Sequence, residues 1–144
     1  MARGAIILIE DGRVALIRRE RGEEPPYYLF PGGGVEEGET PEDAAVREAL
    51  EELGLRVALE GLLAIVEFKG RSQHYFWARR RAGVFGTGQG TELADPRNSR
   101  TGSHSPVWLP LDEIQRSPVR PRALAALVAT GQHPRHLVRI VDAV

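Results

Sequence analysis

Short apolar runs with β-strand spacing alternate along the chain with segments of helical spacing. The first two runs, residues 5–9 and 13–18, flank Asp11-Gly12, a dipeptide typical of tight turns, and predict a β-hairpin. Later runs predict strands at 27–30, 56–68, 72–80, 106–109 and 137–141, and helices at 111–115 and 120–130. The Gly-, Ser- and Thr-rich segment 83–104 predicts a long loop.

The best-defined element is a helix at residues 41–53. Thr40 is a favourable N-cap and, with Asp43 three residues later, resembles a capping box. Pro41 suits the first helical position, and Gly54 suits the position at which a helix ends. These signals predict a single helix with defined ends.

This helix carries carboxylates at neighbouring positions. On a helical wheel Glu48, Glu51 and Glu52 share one side. The opposite, apolar side comprises Val46, Ala49, Leu50 and Leu53. Like charges at this spacing destabilise a helix, whereas hard cations such as Mg²⁺ bind a few carboxylates together with substrate phosphates. The three carboxylates are therefore interpreted as a metal-binding cluster, with a solvated acidic surface as the alternative.

A glycine run precedes the helix. Residues 31–34 read Pro-Gly-Gly-Gly, and we expect them to interrupt regular secondary structure. Glycines also allow the backbone to approach a ligand or metal closely, although three glycines on their own are more often a turn.

Residues 33–55 resemble the Nudix box, GX5EX7REUXEEXGU, in which U is a bulky aliphatic residue. The match runs from Gly33 through Glu39 to the segment 47–55, which reads Arg-Glu-Ala-Leu-Glu-Glu-Leu-Gly-Leu. Every invariant Gly, Glu and Arg is present. One departure is Ala49, where the family prefers a larger side chain. Outside the box, Tyr-Leu-Phe-Pro-Gly before it and Trp-Leu-Pro-Leu-Asp-Glu from Trp108 also resemble the family.

The resemblance implies a fold class and a reaction. The fold would be an α/β/α sandwich with a central mixed β-sheet, formed by residues 1–144 as a single domain. The reaction would be hydrolysis of a nucleoside diphosphate linked to another group, using Mg²⁺ or, as a substitute, Mn²⁺. The two alternatives are removal of the 5′ diphosphate from RNA and nucleotide binding by a non-catalytic regulator on the same fold.

The resemblance also implies roles for individual residues. Glu48 and Glu52 would ligate the metal, and Glu51 would ligate it or hold a metal-bound water. The carbonyl of Gly32 would be a backbone ligand. Glu39 would orient the carboxylates, and Arg47 would fix them by pairing with Glu51 or Glu39. The expected catalytic residues are thus Glu51, Glu52, Arg47 and Glu39.

Candidate substrate contacts lie around the box. Arg18 and Arg19 lie at the end of a predicted strand. We expect Arg18 to contact a substrate phosphate, with exposure to solvent as the alternative. Tyr28 and Phe30 are candidates for stacking on a base, with core packing as the alternative. Glu92 is assigned to the substrate from the 83–104 loop. General-base candidates in that loop are Glu92, Asp95 and His104, and a plain surface residue is the favoured alternative for each.

Composition limits the remaining classes. The 19 basic and 20 acidic residues leave a net charge of −1, which disfavours nucleic acid as a partner. The sequence has no cysteine, which excludes disulfides and thiolate chemistry. No apolar run reaches membrane-spanning length, and no leader is evident, so we expect a cytoplasmic protein with a small-molecule nucleotide diphosphate substrate. A homodimer stays open because some members of the family are dimers.

Overall fold

A mixed β-sheet with helices on both faces organises the chain. The computed structural model describes residues 2–88, 103–130 and 138–141. The strands are β1 Ala2–Glu10, β2 Arg13–Glu20, β3 Tyr27–Leu29, β4 Gly32–Gly34, β5 Leu55–Phe68, β6 Arg71–Gly83, β7 Ser103–Pro110, β8 Val119–Arg120 and β9 Val138–Val141. The helices are α1 Pro41–Leu53, α2 Arg122–Val128 and a 3-10 turn at Leu111–Glu113.

The strands are arranged around β1. Their order is β8-β3-β2-β1-β6-β5-β9, with β4 pairing with β1 and β7 pairing with β2. β1 runs parallel to β6 and antiparallel to β2 and β4. The expected β1–β2 hairpin is confirmed, and its turn places Asp11 at φ 53° and Gly12 at φ 73°. Such positive values suit the two-residue turns that join adjacent strands.

Alternation along β1 separates two apolar layers. Ile6 and Leu8 pack in the core that contains Ala45 of α1. Ala5 and Ile7 point to the opposite face, where the core contains Leu124 of α2. Successive strand residues face opposite sides of a sheet, so one strand can serve both layers. The expected α/β/α sandwich is confirmed.

The ends of α1 follow the predicted capping signals. The Thr40 hydroxyl accepts a hydrogen bond from the Asp43 amide at 3.1 Å, and the Asp43 carboxylate accepts one from the Thr40 amide at 3.1 Å. Gly54 ends the helix at φ 78° and donates to the Leu50 carbonyl at 3.0 Å. The predicted bounds, residues 41–53, are confirmed.

The buried face of α1 does not coincide with its apolar side. Val46 and Leu50, both on the apolar side of the helical wheel, are 38% and 41% exposed. The helix buries Ala44, Ala45, Ala49 and Leu53 instead. The reason is a close approach to Gly4 in β1: a Cβ there would lie 2.0 Å from the Pro41 carbonyl oxygen. Small side chains therefore line the contact, and the larger Val46 and Leu50 lie on the flank.

The glycine run also differs from expectation. Gly32–Gly34 does not interrupt regular structure but forms β4, antiparallel to β1, with Gly32 opposite Ala5 and Gly34 opposite Arg3. Glycine is needed at position 32, because a Cβ there would lie 2.4 Å from the Ala5 side chain and overlap it.

The other predicted elements are present with shifted ends. The helix expected at 120–130 is shorter, and the one expected at 111–115 is the 3-10 turn. Most of the expected 83–104 loop, residues 89–102, lies outside the described residues. Neither α1 nor α2 has the length and apolar character that a membrane span requires.

Replacing Gly4 by alanine tests the contact between β1 and α1. The new methyl group would overlap helix backbone, which cannot rotate away, so Gly4→Ala should lower the free energy of unfolding by about 1–3 kcal/mol or more. Gly34→Ala is the matched control, because a Cβ there has nothing within 4 Å. Denaturant unfolding should separate the two variants; equal stability would contradict the close approach.

Candidate active site

A cavity of about 330 Å³ opens between α1, β4 and the ends of β1, β2, β3 and β7. Glu48 and Glu52 line one side, and Arg3, Arg19, Arg21 and His104 line the rest together with an apolar floor. Its volume is within the usual range for ligand sites, about 300–1,000 Å³. Groups of both charges therefore face the same space.

The two carboxylates are held against β4. Glu48 and Glu52 are one helical turn apart, so they project from the same flank of α1. The Glu52 carboxylate accepts a hydrogen bond from the Gly32 amide at 2.8 Å. The Glu48 carboxylate lies so close to Gly33 that a Cβ there would be 2.4 Å from its Oε1 atom. Glycine at position 33 thus makes room for a carboxylate.

Arg47 ties the surrounding carboxylates together. Its guanidinium donates to both oxygens of Glu39 at 2.9 and 3.1 Å, to Glu48 at 2.8 Å and to Glu51 at 3.3 Å. It also donates to the Gly34 carbonyl at 3.0 Å. Either Glu51 or Glu39 was expected to pair with Arg47, and the structure shows both contacts.

The charge of Arg47 shifts the ionisation of its partners. Its hydrogen bonds, followed by one from the Glu36 amide, lower the pKa of Glu39 below its ordinary value. In turn Glu39 first, and then Glu48, raise the pKa of Arg47. Both groups therefore stay charged at neutral pH, and the network keeps the carboxylates in fixed positions.

Glu51 shares one Arg47 nitrogen with Glu48 but lies outside the cavity. Its side chain is 44% exposed, and it does not line the cavity. Within the described residues, no three acidic or histidine side chains converge closely enough to form a ready-made metal site. The donors at the cavity, namely the carboxylates of Glu48 and Glu52 beside the β4 backbone, are nevertheless hard oxygen ligands. This set fits a cation such as Mg²⁺, which takes its other ligands from water and substrate phosphate.

The facing wall is built from a cross-strand row. Arg19 of β2 lies opposite Tyr27 of β3 and opposite His104 of β7. The Arg19 guanidinium contacts the ring nitrogens of His104, at 3.2 Å for Nδ1. All three side chains line the cavity. Of the loop candidates, His104 is therefore at the site, whereas Glu92 and Asp95 lie outside the described residues.

Two expected substrate contacts do not line this cavity. Arg18 pairs with Glu20, and Tyr28 packs against the core on the α2 side of the sheet. The reason is alternation: Arg18 and Tyr28 are cross-strand partners on one face, while their neighbours Arg19 and Tyr27 share the other. Assigning each strand residue to a face would have indicated the pair that lines the cavity.

Phe30 does line the cavity, but as part of its floor. The ring is only 3% exposed and contacts Tyr75 edge-on at a centroid distance of 5.8 Å. Burial raises the pKa of Tyr75 to about 12, so this partner stays neutral. So little of the Phe30 ring is accessible that its burial favours the alternative, core packing. Base stacking by Phe30 stays a prediction.

Arg3 and Arg21 also line the cavity but were not predicted from the sequence. Arg3 reaches the cavity from β1 and donates to the Gly32 carbonyl at 3.4 Å. Arg21 follows the end of β2 at the exposed rim. Neither belongs to a motif, and only the pairing of β1 with β4 brings Arg3 to the glycine run.

Comparison with known proteins identifies the family. The family model described as the NUDIX domain matches residues 1–128. The chain belongs to the Nudix family. The match extends well beyond the box and includes the strands that supply Arg3, Arg19 and Tyr27.

Relatives of this Nudix chain carry different names. "Nudix hydrolase 16, mitochondrial" of Arabidopsis thaliana is 33% identical over 83% of this chain and 67% of its own length. An "RNA pyrophosphohydrolase" of Rhizobium meliloti is 30% identical over 84% of this chain and 82% of its own. The crystal structure of an ADP-ribose pyrophosphatase from Streptococcus suis superposes with a TM-score of 0.68 at 16% identity, covering 98% of both chains. Membership makes this chain an enzyme of the class that hydrolyses pyrophosphate bonds.

Replacing Arg47 tests the carboxylate network. Because the pKa of Glu39 is lowered from 4.5 in the folded protein, its ionised form stabilises the fold above that pH, and the contribution is lost as the pH falls through the lowered pKa. Arg47→Ala should therefore destabilise the protein more at pH 7 than at pH 3, measured by denaturant unfolding. Arg79→Ala, which removes an exposed pair with Glu60, should change little at either pH. An equal loss for Arg47→Ala at both pH values would contradict the network.

Proposed function

We propose that this protein is a Mg²⁺-dependent hydrolase that cleaves the diphosphate linkage of a small nucleoside diphosphate derivative. The observation that carries the proposal is the juxtaposition, in one cavity, of Glu48 and Glu52 with three arginines. Carboxylates can hold a divalent cation, and arginines bind phosphate. An anionic phosphate chain joining the two is the ligand that this arrangement suits.

Glu48 and Glu52 would hold the cation, with the Gly32 carbonyl as a backbone ligand. The expected role of Glu51, to ligate the metal or to hold a metal-bound water, stays a prediction; its side chain contacts Arg47 and does not line the cavity. When bound, a divalent cation neutralises phosphate charge and lowers the pKa of a bound water.

The residues of the chain supply orientation. The Gly32 amide fixes the Glu52 carboxylate, and Arg47 fixes Glu48 from the other side. Arg47 is itself positioned by its two bonds to Glu39. Such preorganisation matters because phosphoryl transfer depends mostly on positioning and electrostatics.

The first test is a metal-dependent substrate screen. We expect hydrolysis of a pyrophosphate bond in at least one of the following: nucleoside triphosphates, nucleotide sugars, ADP-ribose, dinucleoside polyphosphates and 5′-triphosphate RNA. Activity should vanish in EDTA and return with Mg²⁺ or Mn²⁺. Binding of an intact nucleotide without metal-dependent turnover would instead favour a non-catalytic regulator.

The second test is Glu52→Gln. Glutamine keeps an oxygen for the Gly32 amide, so the fold should survive, but the negative charge needed at a cation is lost. We expect kcat to fall at least roughly 100-fold, equivalent to about 2.7 kcal/mol of barrier. Glu37→Gln, an exposed change outside the cavity, is the control and should keep wild-type turnover. Near-wild-type turnover by folded Glu52→Gln would exclude the proposed role.

Removal of the 5′ diphosphate from RNA is the second candidate. It is favoured by the Rhizobium relative, which carries that name and aligns with most of this chain. The net charge of −1 argues against a surface that attracts long RNA, although a short 5′ end could still enter the cavity. Turnover of triphosphorylated RNA well above that of free nucleotides in the same screen would select it.

A further inference from the structure

Among the residues that the structure describes, three arginines and two glutamates line the cavity. Arg3, Arg19 and Arg21 face the space that Glu48 and Glu52 share. Elsewhere, Arg47 and Arg80 are matched by glutamates, with Arg80 donating to both oxygens of Glu10 at 2.7 and 3.0 Å. Arg3 contacts a carbonyl, and Arg19 contacts a histidine. Among the described residues, neither of these contacts supplies a negative charge to the guanidinium group.

The arginines occupy different parts of the cavity. Arg3 donates to the Gly32 carbonyl, while the amide of the same glycine donates to Glu52. Arg3 is therefore at the end where the carboxylates lie. Arg19 belongs to the row with His104 on the facing wall, and Arg21 follows two residues later at the rim. Arg19 near the end of β2 and Arg21 just beyond it thus form a second group of positive charge, beside the β3 and β7 side of the cavity.

This charge distribution discriminates between classes of substrate. A diphosphate linked to a sugar presents a neutral group beyond the linkage, which offers a guanidinium no charge to pair with. A 5′-triphosphate presents a terminal phosphate, which carries about −1.5 to −2 at pH 7. Arginine matches phosphate oxygens with a planar fork of donors, and such charge-assisted bonds are stronger than neutral ones. The facing wall therefore suits a terminal phosphate.

We propose that Arg19 and Arg21 form a subsite for the terminal phosphate of a 5′-triphosphate, which makes triphosphates the preferred substrate class. This inference rests on the proposed function, because it takes Glu48 and Glu52 as the end at which the linkage is cleaved. Arg19 and Arg21 are then specificity-determining residues, and His104 positions the Arg19 guanidinium. Two kinds of ligand carry such a 5′-triphosphate: a free nucleoside triphosphate and the 5′ end of an RNA.

Equilibrium binding by the full chain in EDTA tests the subsite without turnover. The probes are ATP, ADP and ADP-glucose, titrated calorimetrically into wild type, Arg19→Ala, Arg21→Ala and the control Arg18→Ala. Arg18 is the matched control because it is the neighbouring arginine, is paired with Glu20 and does not line the cavity. We expect wild type and Arg18→Ala to bind ATP at least tenfold more tightly than ADP-glucose. Arg19→Ala and Arg21→Ala should each weaken ATP binding about tenfold and leave ADP-glucose binding nearly unchanged.

Other outcomes would overturn the subsite. Equal weakening of ATP and ADP-glucose would mean that the arginines bind a group common to both, and unchanged ATP binding would mean that they bind neither. Unfolding curves establish that each variant is folded, and Arg19→Lys, which keeps the charge but not the fork, should retain part of the preference. GTP, CTP and UTP are titrated in parallel, and no preference for any triphosphate would also overturn it.

A second arm separates the two sources and the two proposals. A short 5′-triphosphorylated RNA and its 5′-hydroxyl counterpart replace the nucleotides; a preference for the triphosphorylated RNA supports the subsite, and its affinity relative to ATP identifies the source. Binding selectivity with no metal-dependent turnover would support the subsite and refute the proposed hydrolysis. Metal-dependent turnover together with unchanged binding by both arginine variants would support the proposed hydrolysis and refute the subsite.

Discussion

The contact between Gly4 of β1 and the first turn of α1 is the constraint on which the site depends. The helix lies so close that a methyl group on Gly4 would be only 2.0 Å from the Pro41 carbonyl oxygen. At this distance, small side chains such as Ala45 can fill the interface. The orientation of the helix then follows, and it turns Glu48 and Glu52 toward β4 instead of into solvent. A contact made mainly of backbone and small side chains thereby places the candidate active site.

A helix flank with clustered carboxylates also needs a local source of positive charge. Arg47 supplies it from the same helix and joins Glu39, Glu48 and Glu51. Its side chain is only 24% exposed, so these bonds are less screened than those of a surface pair. The Gly34 carbonyl accepts a further bond from Arg47, which ties the helix to the strand that carries the glycines. The positive charge of Arg47 thus offsets the repulsion among the carboxylates, and its hydrogen bonds hold them in a fixed arrangement.

Local signals in the sequence predicted the parts of the fold that depend on local interactions. The capping box at Thr40 and the stop at Gly54 determined both ends of α1, since each acts within one turn of helix. The strand at Gly32–Gly34 could not be predicted, because nothing in a glycine run indicates pairing with a strand some 30 residues earlier. The exposure of Leu50 likewise depends on how closely α1 approaches β1, which a helical wheel does not contain.

The same division applies to the site and explains why its chemistry was easier to predict than its substrate. Glu48 and Glu52 belong to a contiguous motif on one helix, so their proximity follows from helical geometry. Arg3, Arg19 and His104 reach the cavity from three strands, through pairings that are distant in sequence. These strand-borne positions can change without disturbing the carboxylates, because each contributes one side chain to a wall built by backbone hydrogen bonds. Selection for a new substrate can therefore act on the strands while the helix keeps the reaction.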